Sequence, residues 1–388
     1  MYFYLNYDYI NIKMAEYIYI TGCALAFFYF ILLITKKNKS TADDILAIWF
    51  MIIGINELIA IFVSNNLQGA LLIYTRLHIV LPFIHFPFLF LYIKSLIYNT
   101  FSKYNYFHFI PLFIWLFIHF FLIPESTYQN YQSFLQFTIT KPPLILHLNL
   151  IFNLTVGLIY LPVSIFKLKQ YHNNILLNYS NIEKINLKWL WHLIYGIVFV
   201  WLSGFIFVLL VKWFAFQLPF DFNMFLFSTL TIFVIFIGFY GFRQTTVFHL
   251  NIINEGQKKN KISSYNQVYG LKNEDAEKYL RLLLDYMDKE KPFLNNELTL
   301  SELAGAIGIY KHYLTQILND KLNKNFYEFV NHYRVEEFKS QLNNPKSKKF
   351  SFLGLALNSG FNSKSSFNRI FKDLTGLTPS QYKNLTKV

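Results

Sequence analysis

A short stretch near the C-terminus, Gly360–Lys383, carries side chains suited to an anionic partner that offers hydrogen-bond acceptors and donors. Ser363 can cap a helix there, and apolar residues follow it at helical spacing. The apolar positions are Phe367, Ile370, Phe371 and Leu374. The opposite side carries Lys364, Ser365, Asn368, Arg369 and Lys372, none of which is acidic. A short helix with one packed face and one cationic, hydrogen-bonding face suits insertion into a DNA groove.

Four other ionisable residues lie within or near apolar runs, where a charged group is costly and normally faces a cavity or a partner. They are Glu57, His85, His119 and His147. Such residues can bind a metal, but no two of them have the i, i+3 or i, i+4 spacing of ligands on one helix. Interhelical hydrogen bonds from neutral imidazoles are the preferred interpretation, and we expect no metal site.

The sequence lacks the short patterns of common catalytic sites. It contains no phosphate-binding glycine-rich loop, no H-E-x-x-H pair and no G-x-S-x-G turn. Cys23 is the single cysteine, which excludes a disulfide framework or a zinc cluster within one chain. We therefore expect a protein that is not an enzyme and that uses no cofactor.

The composition indicates that much of the chain lies in lipid. Of its 388 residues, 54% are hydrophobic and 15% are charged, whereas soluble domains carry about 25% charged residues. The net charge of +13 fits an anionic partner, either nucleic acid or a membrane surface. The first apolar run follows no basic leader and no small-residue cleavage site, so we expect it to be retained as an anchor.

Seven segments are long and apolar enough to cross a bilayer as helices, which takes roughly 20 residues each. They are Ala15–Thr35, Ile45–Ser64, Ile79–Ile97, Phe107–Ile123, Leu144–Phe166, Leu190–Val211 and Phe222–Phe242. The third contains Pro82 and Pro87, which predict a kink.

The basic residues of the connecting segments predict the orientation. One set of loops holds ten: Lys36, Lys37, Lys39, Lys94, Lys103, Lys167, Lys169, Lys184, Lys188 and Arg243. The alternate set holds four: Lys13, Arg76, Lys141 and Lys212. By the positive-inside rule the first set is cytoplasmic. We expect a protein of the inner (cytoplasmic) membrane with its N-terminus outside and its C-terminal domain in the cytoplasm.

Three regions are predicted along the chain: a transmembrane domain (1–243), a cytoplasmic linker (244–272) and a helical domain (273–388). The last opens with an amphipathic helix, 273–290, whose apolar stripe can pack on its own domain or pair two chains. Thr299 and Glu302 form a capping box for the next helix.

Two short helix pairs in the C-terminal domain repeat one pattern. Leu303-Ala304 precede Gly308-Ile309 by the same spacing at which Leu355-Ala356 precede Gly360-Phe361. Helix, glycine turn and second helix form the helix-turn-helix arrangement, in which glycine permits a turn that other residues resist. The repeat favours DNA binding over an ordinary surface helix with a solvated charged face.

With these pieces in place, Leu298–Lys383 resembles the two-unit DNA-binding domain of AraC-type transcriptional regulators. The most specific residues are Gly360-Phe361, Phe367-Asn368-Arg369-Ile370-Phe371-Lys372, Gly376-Leu377-Thr378-Pro379 and Tyr382. Supporting pieces are Leu303-Ala304 and Tyr333-Arg334-Val335-Glu336-Glu337. The preceding Glu290-Lys291-Pro292 also resembles family members anchored in membranes.

The resemblance implies that two recognition helices face DNA. In the first unit the implied contacts are Lys311, His312, Thr315, Gln316 and Asn319. In the second they are Lys364, Ser365, Asn368, Arg369 and Lys372. Tyr310 replaces the family's usual serine cap, so we expect a less well fixed start of the first recognition helix. Gly354 lies inside a short helix at a cost of about 1 kcal/mol relative to alanine, which predicts a less rigid second unit.

The expected fold is all-α: a seven-helix integral membrane bundle followed by a cytoplasmic domain with two helix-turn-helix units. The expected function is a membrane-tethered, sequence-specific regulator that couples a membrane or extracytoplasmic signal to promoter binding. Promoter DNA and the lipid bilayer are the expected partners, and RNA polymerase, a second copy of the chain and an unknown signal ligand are further candidates. The alternative is a multi-pass transporter or membrane enzyme with a fused regulatory DNA-binding domain. It would show polar residues converging at mid-membrane, for which Glu57, Asn149 and Asn153 are the candidates.

Overall fold

The computed structural model describes residues 2–64, 76–77, 80–98, 102–124, 144–214, 222–243, 271 and 273–386. These residues form helices and no strand, so the expected all-α class is confirmed. The chain divides into two compact units, Met1–Leu168 with Leu187–Leu250 and Lys169–Asn186 with Asn251–Val388. Apart from Leu271, the expected linker lies outside the described residues.

The described part of the first unit is built on apolar α-helices. They are α1 (Tyr2–Ile34), α2 (Thr41–Ser64), α3 (His85–Tyr98), α4 (Ile110–Phe117), α5 (Leu144–Asn178), α6 (Lys188–Phe214) and α7 (Phe222–Arg243). Helix α1 packs against α2 and α7, and α2 also packs against α3. The last residues of α5, from Lys169, belong to the second unit.

Large apolar side chains lie both in the core and on the surface of the described part of the first unit. Trp49 and Phe50 are fully buried, while Phe113, Phe121 and Leu158 each leave more than 60% of their surface exposed. Among the described residues, seven helical segments are long and apolar enough to cross a membrane, in agreement with the seven predicted from the sequence. Exposed aliphatic and aromatic side chains around a fully hydrogen-bonded helix are the pattern that a bilayer favours.

The third and fourth of these segments are less regular than predicted. The third begins as a 3₁₀ turn, Leu81–Ile84, and Pro87 then falls in the first turn of α3, where its missing N–H breaks no helical bond. The fourth consists of a 3₁₀ segment (Lys103–Phe109), α4 and a π-helical turn (Ile118–Leu122). Hydropathy indicates the length of a membrane-spanning segment, but it does not reveal these changes of backbone geometry.

The fifth segment differs in length. Helix α5 continues to Asn178, twelve residues beyond the predicted end at Phe166. The continuation is polar and basic, so hydropathy marks only its apolar part.

Several polar side chains in the first unit form hydrogen bonds between helices, as expected for neutral histidine side chains. Trp49 Nε1 donates to His85 Nδ1 at 2.9 Å, and His119 Nε2 lies 3.1 Å from Asn149 Oδ1. Glu57 is fully buried, and its carboxylate oxygens lack a hydrogen-bond partner among the described residues. A Cβ at Gly22 would lie 2.9 Å from Glu57 Oε1, so glycine makes room for this carboxyl group.

The described residues of the second unit form seven further α-helices. They are α8 (Asn273–Glu290), α9 (Leu300–Ala306), α10 (Lys311–Asp320), α11 (Phe326–Asn343), α12 (Phe352–Asn358), α13 (Lys364–Thr375) and α14 (Pro379–Thr386). Leu283 and Met287 of α8 are fully buried in one core with α9, α10 and the first half of α11. Of the two predicted roles for its apolar stripe, α8 therefore takes packing on its own domain.

Candidate DNA-binding surface

Two helix-turn-helix units, α9–α10 and α12–α13, are built on the two halves of the long helix α11. The turn glycines Gly308 and Gly360 have φ angles of +72° and +91°, a left-handed conformation that side chains other than glycine rarely adopt. At Gly360 a Cβ would also meet the carbonyl oxygen of Phe293 at 2.3 Å. The repeated glycine turn predicted from the sequence is confirmed.

Each recognition helix is held by its own apolar core. Leu314 and Leu318 of α10 pack with Val330 of α11 and with α8 and α9. Phe367 and Phe371 of α13 pack around Phe338 of α11, with ring centroids 4.6 and 5.6 Å from it. Burial of these side chains determines which face of each recognition helix points outward.

Side-chain caps fix the helix starts. Thr299 Oγ1 accepts from the amide of Glu302, whose carboxylate accepts from the amide of Thr299. The same reciprocal box joins Asn325 to Glu328 at the start of α11. Ser363 caps α13 by accepting from the amide of Ser366 at 3.1 Å. Tyr310 gives α10 no side-chain cap, as its departure from the family pattern predicted.

The predicted contact residues of α10 lie on its outer side. His312 and Asn319 are exposed, while Lys311, Thr315 and Gln316 are half-buried. Thr315 Oγ1 donates back to the carbonyl of Lys311 at 3.1 Å. The His312 ring lies 4.1 Å from that of Tyr313, between centroids. None of the five is buried, so all five can be reached from outside the unit.

The predicted contact residues of α13 are more open. Lys364, Ser365, Asn368 and Lys372 are exposed. Arg369 is half-buried and donates from Nη2 to the hydroxyl of Tyr327 on α11 at 3.1 Å. This bond orients the guanidinium along the junction of α11 and α13.

Comparison with known proteins locates the similarity in the region of the two helix-turn-helix units. A family model described as "Helix-turn-helix domain" matches residues 303–384. These residues form an AraC-type helix-turn-helix domain.

Curated relatives match over the same region. Two proteins named as uncharacterized HTH-type transcriptional regulators, from Staphylococcus aureus strains COL and N315, are each 29% identical over 120 residues. The match covers 31% of this chain and 15% of each relative. No solved structure matches the chain significantly.

The helix-turn-helix domain also holds a buried polar cluster that the sequence analysis missed. Arg334 of α11 is 2% exposed, and burial lowers the pKa of its guanidinium to about 10, so it stays charged at neutral pH. It donates to the carbonyl oxygens of Phe293 and Asn295, both at 2.8 Å. Further bonds go to Asn331 and to Ser180 of the segment that follows α5.

One sequence signal points to this cluster. Arg334 occupies the apolar stripe of α11, four residues after Val330 and four before Phe338, both of which are fully buried. A cation on a buried stripe needs hydrogen-bond acceptors around it. Nothing in the sequence indicates that Ser180, more than 150 positions away, supplies some of them.

Proposed function

We propose that this chain is a membrane-tethered, sequence-specific DNA-binding transcriptional regulator that couples a signal reaching the membrane to promoter binding. The observation that carries the proposal is the second helix-turn-helix unit, where a packed aromatic core presents the open, cationic face of α13. Phosphate and base-edge contacts need such a face, because side chains must reach the groove without rearranging the core. RNA polymerase and a second copy of the chain are further proposed partners.

Tethering to the membrane is supported by the seven apolar helical segments and their exposed side chains. In water, so much exposed apolar surface would drive association. In a bilayer this apolar surface can stay exposed, because lipid tails solvate it.

The proposed orientation is supported by contacts within the second unit. The segment between α5 and α6 bonds to the helix-turn-helix domain through Ser180. That segment and the C-terminal domain are separated by two candidate spans, α6 and α7, which returns the chain to the same side of a bilayer. The positive-inside rule assigns that side to the cytoplasm, where the DNA lies.

A transporter with a fused regulatory domain is less well supported. Of its three candidate polar residues, Glu57 has no hydrogen-bond partner among the described residues, while Asn149 and Asn153 accept hydrogen bonds from Trp115 and Trp201, at 2.5 and 2.8 Å. Both amide oxygens thus serve contacts between segments of the bundle.

Selection of DNA from a random-sequence library tests the proposal. The full-length chain in lipid nanodiscs should enrich duplexes with two short conserved blocks, because two recognition helices enter major-groove faces about 34 Å apart. The control is the double variant Asn368→Ala with Arg369→Ala, which keeps the core and should enrich nothing. A folded wild-type protein that enriches no sequence would contradict the proposal.

A further inference from the structure

The segment between α5 and α6, residues 179–186, belongs to the same compact unit as the helix-turn-helix domain. We call it the α5–α6 loop. Tyr179 pairs with Thr299 in an antiparallel bridge at the start of α9. The amide and the hydroxyl of Ser180 both donate to the carbonyl of Leu298, at 3.2 and 2.7 Å. The loop therefore adds to the edge of the first helix-turn-helix unit.

Ser180 is anchored where the two helix-turn-helix units meet. Its carbonyl accepts from Asn331 Nδ2 at 3.0 Å and from Arg334 Nη1 at 3.2 Å. Its hydroxyl accepts from Arg334 Nη2 at 2.9 Å, and the residue is 1% exposed. Arg334 Nε also lies 3.1 Å from the position of a Cβ at Gly360, the turn of the second unit. Withdrawal of the loop would leave a buried cation short of acceptors, so this anchor is strong.

Glu183 of the same loop contacts the start of the second recognition helix. Both its carboxylate oxygens lie 2.8 Å from the hydroxyl of Ser363, the N-cap of α13. The hydroxyl of Ser365 donates to Oε1 of the same carboxylate, also at 2.8 Å. Ser365 is one of the predicted DNA contacts, and its hydroxyl proton is taken up by this bond.

The position that Glu183 occupies is one where a phosphate could bind. The N-terminus of a helix carries partial positive charge and unpaired amides, which bind anions. Hydrogen bonds from serine hydroxyls and helix N-termini to phosphate oxygens are common in protein–DNA contacts. A carboxylate at this place fills the site of a phosphate and repels the backbone that would replace it.

The loop is held by hydrogen bonds of its own and directly follows helix α5. The amide of Glu183 donates to Asn181 Oδ1 at 3.1 Å, and the hydroxyl of Tyr171, on α5, donates to the carbonyl of Ile185 at 2.6 Å. Helix α5 runs unbroken from Leu144 to Asn178 and ends directly before the loop.

We propose that the α5–α6 loop is an inhibitory element: Glu183 masks the N-terminus of α13 in the resting protein, and loss of this contact exposes it. The inference rests on the proposed function and adds a contact that controls DNA binding. Ser180 serves as the anchor and Glu183 as the blocking group.

The test compares Glu183→Ala with a charge-matched control, Glu290→Ala, in the full-length chain in nanodiscs. Glu290 is exposed at the end of α8, so its removal raises the net charge equally without touching α13. Both variants and the wild type first select duplexes from the random library, and affinity for the enriched duplex is then measured. Glu183→Ala should bind about tenfold more tightly than the wild type, and Glu290→Ala within about twofold of it.

Hydrogen exchange supplies a readout that does not depend on DNA. In Glu183→Ala the amides at the start of α13 should exchange faster, with the rest of the domain unchanged. Faster exchange with no gain in affinity over Glu290→Ala would show a structural contact and overturn the inhibitory role. Weaker binding by Glu183→Ala would overturn it as well, because the loop would then support α13. If none of the three proteins selects DNA, the proposed function itself fails.

Discussion

Asn368 and Arg369 are neighbours in sequence, but the fold presents them differently. Asn368 is exposed on the outer face of α13, where an amide can pair with adenine in the major groove. Arg369 is half-buried and bonded to Tyr327, so its guanidinium is held beside α11. Lys372 is exposed one turn further along and suits a phosphate.

These placements predict different effects of single substitutions. Asn368→Ala or Arg369→Ala should weaken binding to the selected duplex by about 1–3 kcal/mol and relax the base preference at one position. Lys372→Ala should weaken all duplexes similarly and reduce the slope of binding against salt by about 1. Titrations at several salt concentrations, with matched and mutated duplexes, measure both effects. Unchanged discrimination in Asn368→Ala would remove that residue from base readout.

At the scale of elements, the turn at Gly360 joins the second helix-turn-helix unit to the rest of the domain. Its positive φ and the nearby carbonyl of Phe293 leave no place for a side chain. Gly305, inside α9, has open space where a Cβ would be. The two glycines therefore offer a matched pair of substitutions.

Gly360→Ala should destabilise the helix-turn-helix domain by about 3 kcal/mol or more, since left-handed strain of about 1–2 kcal/mol adds to a steric clash. Gly305→Ala should be neutral or stabilising by up to about 1 kcal/mol, because alanine favours a helix interior. Hydrogen exchange at α12 and α13 in the full-length chain measures both. Equal protection in the two variants would mean that the turn adapts to a side chain.

Local signals predicted most of the elements. Caps at Thr299 and Ser363 and the glycine turns depend on neighbouring residues, so the sequence alone located them. The α5–α6 loop was missed because its role depends on Arg334 and Ser363, which are far away in sequence. The polar extension of α5 was missed because the length of an apolar run indicates only the apolar part of a helix. The predicted contact residues are all accessible, and their roles in binding DNA stay predictions.

For the whole molecule, we propose that the first unit lies in lipid, which would cover its exposed apolar side chains, and that the second binds promoter DNA. Both hold at once if the promoter is bound at the cytoplasmic face of the membrane.

Inside-out membrane vesicles that carry the full-length chain test this central claim most directly. After a carbonate wash, which removes peripheral proteins, the chain should stay in the vesicle pellet. A labelled duplex from the library selection should sediment with those vesicles, and not with vesicles that carry Asn368→Ala with Arg369→Ala. Release of the chain by carbonate, or sedimentation of the duplex equally with both kinds of vesicle, would contradict the account.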